Sequence, residues 1–497
     1  MVFGLRSLVS GLWSVVLFAR APSANWKEQS RRARTRPRPE AVEFDLTASD
    51  SHSTLPAMRI FKAARSIGFS IACVAFCVIA LAQTPSRALE TKPADPFFAK
   101  FNPIKAPAPA GLLLKPGDRI MICGDSITEQ RMYSRIIETY LTVCVPELQV
   151  AVRQLGWSGE RAPGFLARMT NDCLRFVPTV ATLCYGMNDH EYRAFEPEIG
   201  RRYRDSITAI VQAFKNHGVR VVLGSPGCVG PKVPWSKAGS EEMNLSLCNL
   251  RNICIEVASK EGTAFADVFW PMLTTGFEAK RRFGEDYMIA GKDSVHPDWA
   301  GHLVMAYAFL KAMGLDGNIG TVKVDLATER VTLTPGHELH GMTKGELTIT
   351  SHKYPFCAAG DVNRDNSIRS AMALVPFNQQ LNRFILIVTN APAKSYKIVW
   401  GETTRTYSAQ QLASGVNLAE DFILNPFSEP FRKVDEAVAA KQNYETRQVK
   451  MLFHGDEGRV DMPATVALTE KVREKYVEQI EDAFTPVTHT IRIVPEQ

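Results

Sequence analysis

Short apolar runs alternate with amphipathic ones between about Lys115 and Leu315, and this alternation constrains the fold more than any other feature of the chain. The runs in "DRIMICGDS", "PTVATLCYG" and "VRVVLGSPG" are apolar throughout, which is typical of strands buried on both faces of a sheet. Segments with helical spacing, such as "QRMYSRIIETYLTVC" and "YRDSITAIVQAFKNHG", lie between them. The pattern predicts an α/β domain over residues 115–317, with a parallel sheet covered by helices on both faces.

The sequence pattern changes beyond Gly320. Several segments there alternate polar and apolar residues with a period of two, among them "GELTITS" and "NRFILIVTN". They predict a β-rich module over residues 318–430. Two helical stretches and the strand-like run "THTIRIVPEQ" then predict a helical C-terminal segment with a final strand over residues 431–497.

The chain before the α/β segment is predicted to have three parts. "MRIFKAARSIGFSIACVAFCVIALAQ" has a basic start and an apolar run ending in Ala80-Leu81-Ala82, which predicts a signal peptide over residues 58–82 with cleavage after Ala82. The apolar run is about 16 residues long, and a membrane-spanning helix needs roughly 20. Residues 1–57 are interpreted as a disordered or mis-assigned extension, and residues 83–114 as a Pro/Ala-rich linker. We therefore expect a secreted or periplasmic protein, with an uncleaved membrane anchor as the alternative.

The net charge of +6 does not indicate a nucleic-acid-binding face. The first 82 residues hold 11 of the 58 basic and 5 of the 52 acidic residues, so the remainder of the chain carries no net charge. The excess of basic residues belongs to the N-terminal leader. We expect no nucleic-acid partner, and no membrane partner once the signal peptide is removed.

Residues in the loops after three predicted strands have the chemistry of an acyl-transfer site. In "CGDSIT", Ser126 follows a strand and opens a helix, where its backbone N–H can bind an oxyanion. In "QLGWSGER", Gly159 can bring its N–H close to a substrate oxygen, since it has no Cβ. Asn188, in "YGMNDHEY", can donate its side-chain amide to the same oxygen. Trp157 either lines the substrate pocket or packs beneath its loop.

A fourth stretch, "KDSVHPDWAGH", precedes the last predicted helix of the α/β segment and holds Asp293 and His296. A carboxylate at this spacing can accept the imidazole Nδ1–H and turn Nε2 towards a serine. All four stretches lie where open α/β sheets place their sites, at the carboxyl ends of strands or in the loop before the last helix. The serine is not in the G-x-S-x-G elbow of α/β-hydrolases, because Thr128 stands in place of the second glycine.

In order along the chain, Gly124-Asp125-Ser126, Gly159, Gly186-x-Asn188-Asp189 and Asp293-x-x-His296-Pro297 resemble the four blocks of the SGNH (GDSL-type) hydrolase superfamily. The resemblance implies a flavodoxin-like three-layer α/β/α fold and a serine esterase without a metal or other cofactor. It implies that Ser126 is the nucleophile, that His296 is the general base and then acid, and that Asp293 orients His296. The Ser126 N–H, the Gly159 N–H and the Asn188 amide would form the oxyanion hole. Gln154 stands where many members have Asn.

The substrate is the least constrained part of the interpretation. An export signal and an appended β-rich module suit the deacylation of an extracellular carbohydrate such as an acetylated polysaccharide, or of another small ester, by analogy. A GDSL-type lipase or lysophospholipase is the alternative, which is disfavoured because the sequence has no evident long apolar lid. A non-catalytic carbohydrate- or surface-binding protein on a hydrolase fold is an alternative of another class, and the complete set of candidate residues speaks against it. The sequence indicates no particular oligomeric state.

Overall fold

Five parallel strands form the central sheet of the α/β domain. The computed structural model describes residues 87–496, so the predicted extension at 1–57 and the predicted signal peptide at 58–82 lie outside the described residues. The strands are β1 (Arg119–Gly124), β2 (Ala151–Gln154), β3 (Val180–Cys184), β4 (Arg220–Gly224) and β5 (Ala264–Ala266). Their order in the sheet is β2-β1-β3-β4-β5, the order of flavodoxin-like folds, and every pair is parallel.

Helices cover both faces of this sheet, as predicted from the apolar strands. Ile120 and Ile122 of β1 pack into one hydrophobic cluster, and Met121 and Cys123, which point to the opposite face, pack into another. The helices are α1 (Ser126–Glu129), α2 (Tyr133–Cys144), α3 (Ala162–Asp172), α4 (Pro197–Asn216), α5 (Ser240–Glu261), α6 (Phe269–Phe283) and α7 (Trp299–Ala312). Apolar residues of α2 and α7 belong to the first cluster, and those of α3 and α4 to the second. The prediction of a three-layer α/β/α domain is confirmed.

Two further sheets follow α7. Their strands are β6 (Asn318–Asp325), β7 (Arg330–Leu333), β8 (His337–Thr343), β9 (Glu346–Ser351), β10 (Arg383–Thr389), β11 (Ser395–Trp400), β12 (Thr403–Ser408), β13 (Val416–Asn417) and β14 (Val487–Pro495). One sheet has the order β13-β10-β6-β7 and the other the order β12-β11-β14-β9-β8. Phe384 of the first sheet stacks on Trp400 of the second, with ring centroids 5.6 Å apart, so the two sheets share an aromatic core.

The predicted β-rich module and the predicted helical segment are interleaved in the structure. The helices of this part are α8 (Ile368–Met372), α9 (Phe377–Leu381), α10 (Ala409–Ser414), α11 (Leu418–Asp421), α12 (Ser428–Arg447), α13 (Asp456–Val460) and α14 (Met462–Ala483). A π-helical turn, Gln448–Phe453, continues α12. The chain then returns as β14, which pairs with β9 on one side and β11 on the other. The period of two in "THTIRIVPEQ" identifies a strand, but it carries no information about which strands will flank it.

The C-terminal helices complete the edge of the central sheet. β2 is an edge strand, and its outer backbone groups are paired with side chains from α12 and α14. The Lys441 ammonium and the Arg473 guanidinium donate to the Val152 carbonyl at 2.7 and 3.0 Å, and the Gln154 N–H donates to the Glu445 carboxylate at 3.0 Å. Because unpaired edge groups are a template for association, these side chains both satisfy and cover the edge.

From residue 87 onward, the segment predicted as a linker is packed. Leu89 pairs with Ile104 in an antiparallel bridge, and a 3₁₀ helix spans Pro96–Lys100. Phe98 and Phe101 are fully buried, and their rings lie within 6.2 Å of the Trp270 ring of α6. The Pro/Ala composition suggested a free segment, but two buried phenylalanines are enough to hold it on the domain. Within residues 87–496, no helix combines the length and apolar character needed to cross a bilayer.

Candidate active site

Ser126 lies at the junction of β1 and α1. β1 ends at Gly124, and the side chain of Asp125 caps α1 by accepting the Ile127 N–H at 3.0 Å. Burial raises the pKa of Asp125 to about 7, and the nearby carboxylates of Asp189 and Glu160 add to the rise. Asp125 is therefore a buried capping residue, and Ser126 is the partly exposed residue at this junction.

The structure brings Ser126, His296 and Asp293 into one hydrogen-bonded row. The His296 Nε2 lies 2.8 Å from the Ser126 Oγ, and the His296 Nδ1 lies 2.7 Å from the Asp293 Oδ2. The carboxylate accepts a hydrogen bond from the Nδ1–H, which leaves Nε2 as the acceptor that faces the serine hydroxyl. The row joins the end of the first strand to the loop before α7, across 170 residues of sequence.

The Asp293 carboxylate is held in its ionised form. Burial opposes ionisation, but hydrogen bonds from the His296 and Val295 N–H groups and from the imidazole outweigh it, so the pKa of Asp293 lies below its usual range. About a third of each side chain is exposed, 37% for Asp293 and 31% for His296. The site is therefore open enough to admit a substrate.

The predicted oxyanion donors lie in the loops after β2 and β3. Gly159 has φ +73°, a conformation that favours glycine, and apart from its chain neighbours no atom lies within 4 Å of the position that a Cβ would occupy. The Asn188 amide donates one hydrogen to the Glu160 carbonyl at 3.0 Å, while its Oδ1 accepts the Tyr192 hydroxyl at 3.0 Å. These two bonds fix the orientation of the amide and leave its second hydrogen free for a ligand.

Arg168 anchors both ends of the loop that carries Gly159. Its guanidinium donates to the Leu155 carbonyl at 2.8 Å and to both carboxylate oxygens of Glu160 at 2.7 Å. The Tyr185 hydroxyl donates to the same carboxylate at 2.7 Å. Both charged side chains are less than a tenth exposed, so this ion pair is shielded from solvent and restrains the loop.

Trp157, in the same loop, packs against Arg168 of α3 and against two residues from a distant part of the chain. The Arg168 guanidinium lies 5.1 Å from the indole centroid and the Lys450 ammonium lies 5.2 Å from it. The His454 ring meets the indole edge-on at 4.9 Å. A role of Trp157 in substrate binding stays a prediction, and the observed contacts are those of a packed residue.

Two aromatic residues beside the site were missed in the sequence. Trp235, in the loop between β4 and α5, is 53% exposed, and its ring lies 6.4 Å from the His296 ring. It meets Tyr192 edge-on at 5.6 Å, and the Ser236 hydroxyl donates to the Tyr192 carbonyl at 2.7 Å. The position of Trp235 in the sequence could have identified it, because the loop after β4 opens at the same edge of the sheet as the loops that carry Ser126 and Asn188.

The hydrolase domain is similar to known proteins. Residues 122–304 match the model of the GDSL-like lipase/acylhydrolase family. An acetylxylan esterase from Geobacillus stearothermophilus is 23% identical over 223 residues, which are 40% of this chain and 95% of that protein. The crystal structure of that organism's acetylxylan esterase Axe2 covers 41% of this chain and 97% of its own, with 21% identity and a TM-score of 0.34.

A second solved structure resembles a larger part of the chain. A gut microbial diltiazem-metabolizing enzyme is 22% identical, and the alignment covers 78% of this chain and 100% of that one, with a TM-score of 0.63. The shared fold therefore extends beyond the α/β domain into the β-rich and helical region. Residues 122–304 are a GDSL-like lipase/acylhydrolase domain of the SGNH hydrolase superfamily, and the chain is a hydrolase of ester bonds.

Proposed function

We propose that the chain is a serine esterase that works through an acyl-enzyme. The Ser126 Oγ attacks the ester carbonyl carbon while the His296 Nε2 takes its proton, and the carbonyl oxygen becomes an oxyanion. The oxyanion accepts hydrogen bonds from the Ser126 N–H, the Gly159 N–H and the Asn188 amide. The carbon–oxygen bond to the alcohol then breaks as His296 returns the proton to the leaving oxygen. Water then attacks the acyl carbon as His296 takes its proton, and the bond to the Ser126 Oγ breaks as His296 returns that proton to it, which releases the acid.

The observation that carries the proposal is the row of hydrogen bonds from Ser126 through His296 to Asp293. The ionised Asp293 favours the imidazolium that forms when His296 takes the serine proton, because the two charges are then adjacent. The Gly159 N–H and the second hydrogen of the Asn188 amide, in the loops after β2 and β3, support the proposal as candidate oxyanion donors. A decayed binding protein on a hydrolase fold would have no need to keep this geometry.

Asn188 is expected to act mainly in the transition state. Asn188→Ala should lower kcat by about 100- to 1000-fold, since this is the usual cost of one oxyanion donor, with little change in KM. Steady-state kinetics on p-nitrophenyl acetate measures both constants. Tyr192→Phe serves as the matched variant, because it removes the hydroxyl that orients the Asn188 amide and keeps the amide itself. A rise in KM alone would reassign Asn188 to substrate binding.

We propose further that the alcohol part of the substrate is a carbohydrate. The similarity to an acetylxylan esterase supports this class, and so does the position of Trp235. The apolar C–H face of a pyranose packs well on an exposed indole, and the ring hydroxyls stay in water. The indole next to His296 is where the alcohol part of a bound ester would lie. The export signal predicted at residues 58–82 would bring such an enzyme to extracellular polysaccharides.

A panel of esters tests the substrate class. We expect acetylated xylo-oligosaccharides to be hydrolysed with a higher kcat/KM than ethyl acetate, short-chain lipid esters or lysophospholipids. Trp235→Ala should raise KM for the acetylated oligosaccharide about tenfold, the equivalent of one lost aromatic contact, and leave ethyl acetate almost unchanged. Trp235→Phe should retain most of the affinity. Faster hydrolysis of the lipid esters would instead establish the lipase alternative.

A further inference from the structure

The loop that carries Gly159 is fixed on one side by the hydrolase domain and on the other by the C-terminal segment. On the domain side, Gly156 passes so close to α1 that a Cβ there would lie 2.2 Å from the Glu129 nitrogen. The Gln154 amide donates to the Thr128 carbonyl at 2.7 Å, which ties the start of the loop to the same helix. The position of the loop therefore depends on the position of α1 and of its last residue, Glu129.

Glu129 links the loop to the C-terminal segment. Its carboxylate accepts the Ser158 N–H and also the Lys450 ammonium, at 2.8 Å through Oε1 and 2.9 Å through Oε2. Burial opposes ionisation of Glu129, but Lys450 and Ser158 outweigh it and hold the pKa of Glu129 below its usual range. About a fifth of Glu129 and a quarter of Lys450 are exposed, so the pair is better shielded than an ordinary surface ion pair.

Trp157 provides a second link to the same segment. Its indole packs against the Arg168 guanidinium of the hydrolase domain and against Lys450 and His454 of the C-terminal segment. The His454 Nε2 is in turn 2.7 Å from the carboxylate of the fully buried Asp172 at the end of α3. Trp157 and Ser158 immediately precede Gly159, so both links act on the residues that set the direction of its N–H.

Lys450 lies in the π-helical turn at Gln448–Phe453, which follows α12. Such turns widen the helix locally and are frequent at functional sites. Here the turn lies at the point where the chain passes the loop between Leu155 and Glu160. The α-helical geometry of α12 thus changes to a π-helical turn where the chain contacts this loop.

We propose that Lys450 and His454 are positioning residues that hold the Gly159 N–H in place for the oxyanion. The proposal rests on the proposed function, since it takes the Gly159 N–H as a donor to the tetrahedral intermediate. It assigns the C-terminal segment a part in turnover, although the segment lies outside the matched family domain at 122–304. Neither residue touches the reacting atoms.

Lys450→Met tests the proposal in the full chain. We expect kcat on p-nitrophenyl acetate to fall about tenfold with KM nearly unchanged, because a small displacement of one donor weakens only the transition state. The affinity for benzeneboronic acid, which forms a tetrahedral adduct with a serine hydroxyl, should fall by the same factor. Glu129→Gln should act in the same direction. The double variant should lose less than the product of the two single losses, because both changes break the same link.

Three controls separate positioning from folding. Lys450→Arg keeps the charge and should restore most of kcat, and Lys471→Met, a change of an exposed lysine on α14, should leave kcat unchanged. Hydrogen exchange of the peptide that covers residues 155–160 should be faster in Lys450→Met than in the wild type, at a similar melting temperature. Equal exchange of this peptide in the two proteins overturns the inference whatever their activities. A failure of the proposed function is detected separately, by hydrolysis that persists in Ser126→Ala.

Discussion

Ser126→Ala is expected to lower kcat for ester hydrolysis by about 10⁶-fold, the scale seen when a serine nucleophile is removed from a catalytic triad. The alanine cannot form the acyl bond, and His296 is left without a hydroxyl to deprotonate. Folding should be unaffected, because Ser126 is partly exposed and the cap of α1 is Asp125. Hydrolysis of p-nitrophenyl acetate measures the loss, and the mass of the protein after reaction with diisopropyl fluorophosphate shows whether a covalent adduct forms.

Two further variants serve as controls for Ser126→Ala. Ser414→Ala, at the exposed end of α10, should keep full activity and full labelling. The double variant Ser126→Ala/His296→Ala should be little worse than Ser126→Ala alone, because the two residues act as one unit. Activity within tenfold of wild type in Ser126→Ala would remove the serine from the mechanism.

Lys441→Met is expected to destabilise the protein by about 3–5 kcal/mol, the range found when one partner of a buried ion pair is removed. Lys441 is 1% exposed, and its ammonium lies 3.0 Å from the Glu138 carboxylate and 2.8 Å from that of Glu445. Both carboxylates are themselves buried, so the variant leaves two negative charges with one cation fewer. Urea unfolding followed by circular dichroism measures the free energy of unfolding.

The loss of stability in Lys441→Met should depend on pH. Burial already raises the pKa of Glu138, and removal of the nearby ammonium raises it further. A carboxyl group with a higher pKa in the folded state than in the unfolded state binds protons on folding, so it lowers stability as the pH rises through these values. The deficit of Lys441→Met should therefore be larger at pH 7 than at pH 5.

Two variants check this interpretation. Lys433→Met, an exposed change on the same helix, should alter the free energy of unfolding by less than about 0.5 kcal/mol. Adding Glu138→Gln to Lys441→Met should recover part of the stability, since one of the unpaired charges is removed. If Lys441→Met were as stable as the wild type, the cluster would not hold α12 on the sheet.

The sequence was sufficient to predict the candidate catalytic row because its members have local signatures. Ser126 and Asn188 each follow a buried apolar strand, and parallel strands bring their carboxyl ends to one edge. Asp293 and His296 come at a fixed spacing just before a helix. These are short-range patterns, and the topology of the fold places them together without further information.

The parts that were missed depend on long-range contacts or on misleading composition. Lys450 is 321 residues from Glu129 in sequence, and no local pattern links the two. Helix α6 was not predicted, and it contains Pro271 and Gly276, two residue types that interrupt many helices. Here the proline occupies the first turn, where no backbone donor is needed, and a Cβ at Gly276 would lie 2.6 Å from Ile289. The predicted linker was misread because its prolines and alanines masked two core phenylalanines.

The central place of β14 in its sheet has a consequence for how the protein is made. β9 and β11 are separated in that sheet by β14, which is synthesised after every other strand of the described residues. Neither can gain its inner partner until β14 has been synthesised, whereas the strands of the hydrolase sheet are all complete by Ala266. The strands of the hydrolase sheet can therefore pair early in synthesis, but the second β sheet must wait for β14. A chain that stops short of β14 would expose two strand edges, and such edges promote aggregation.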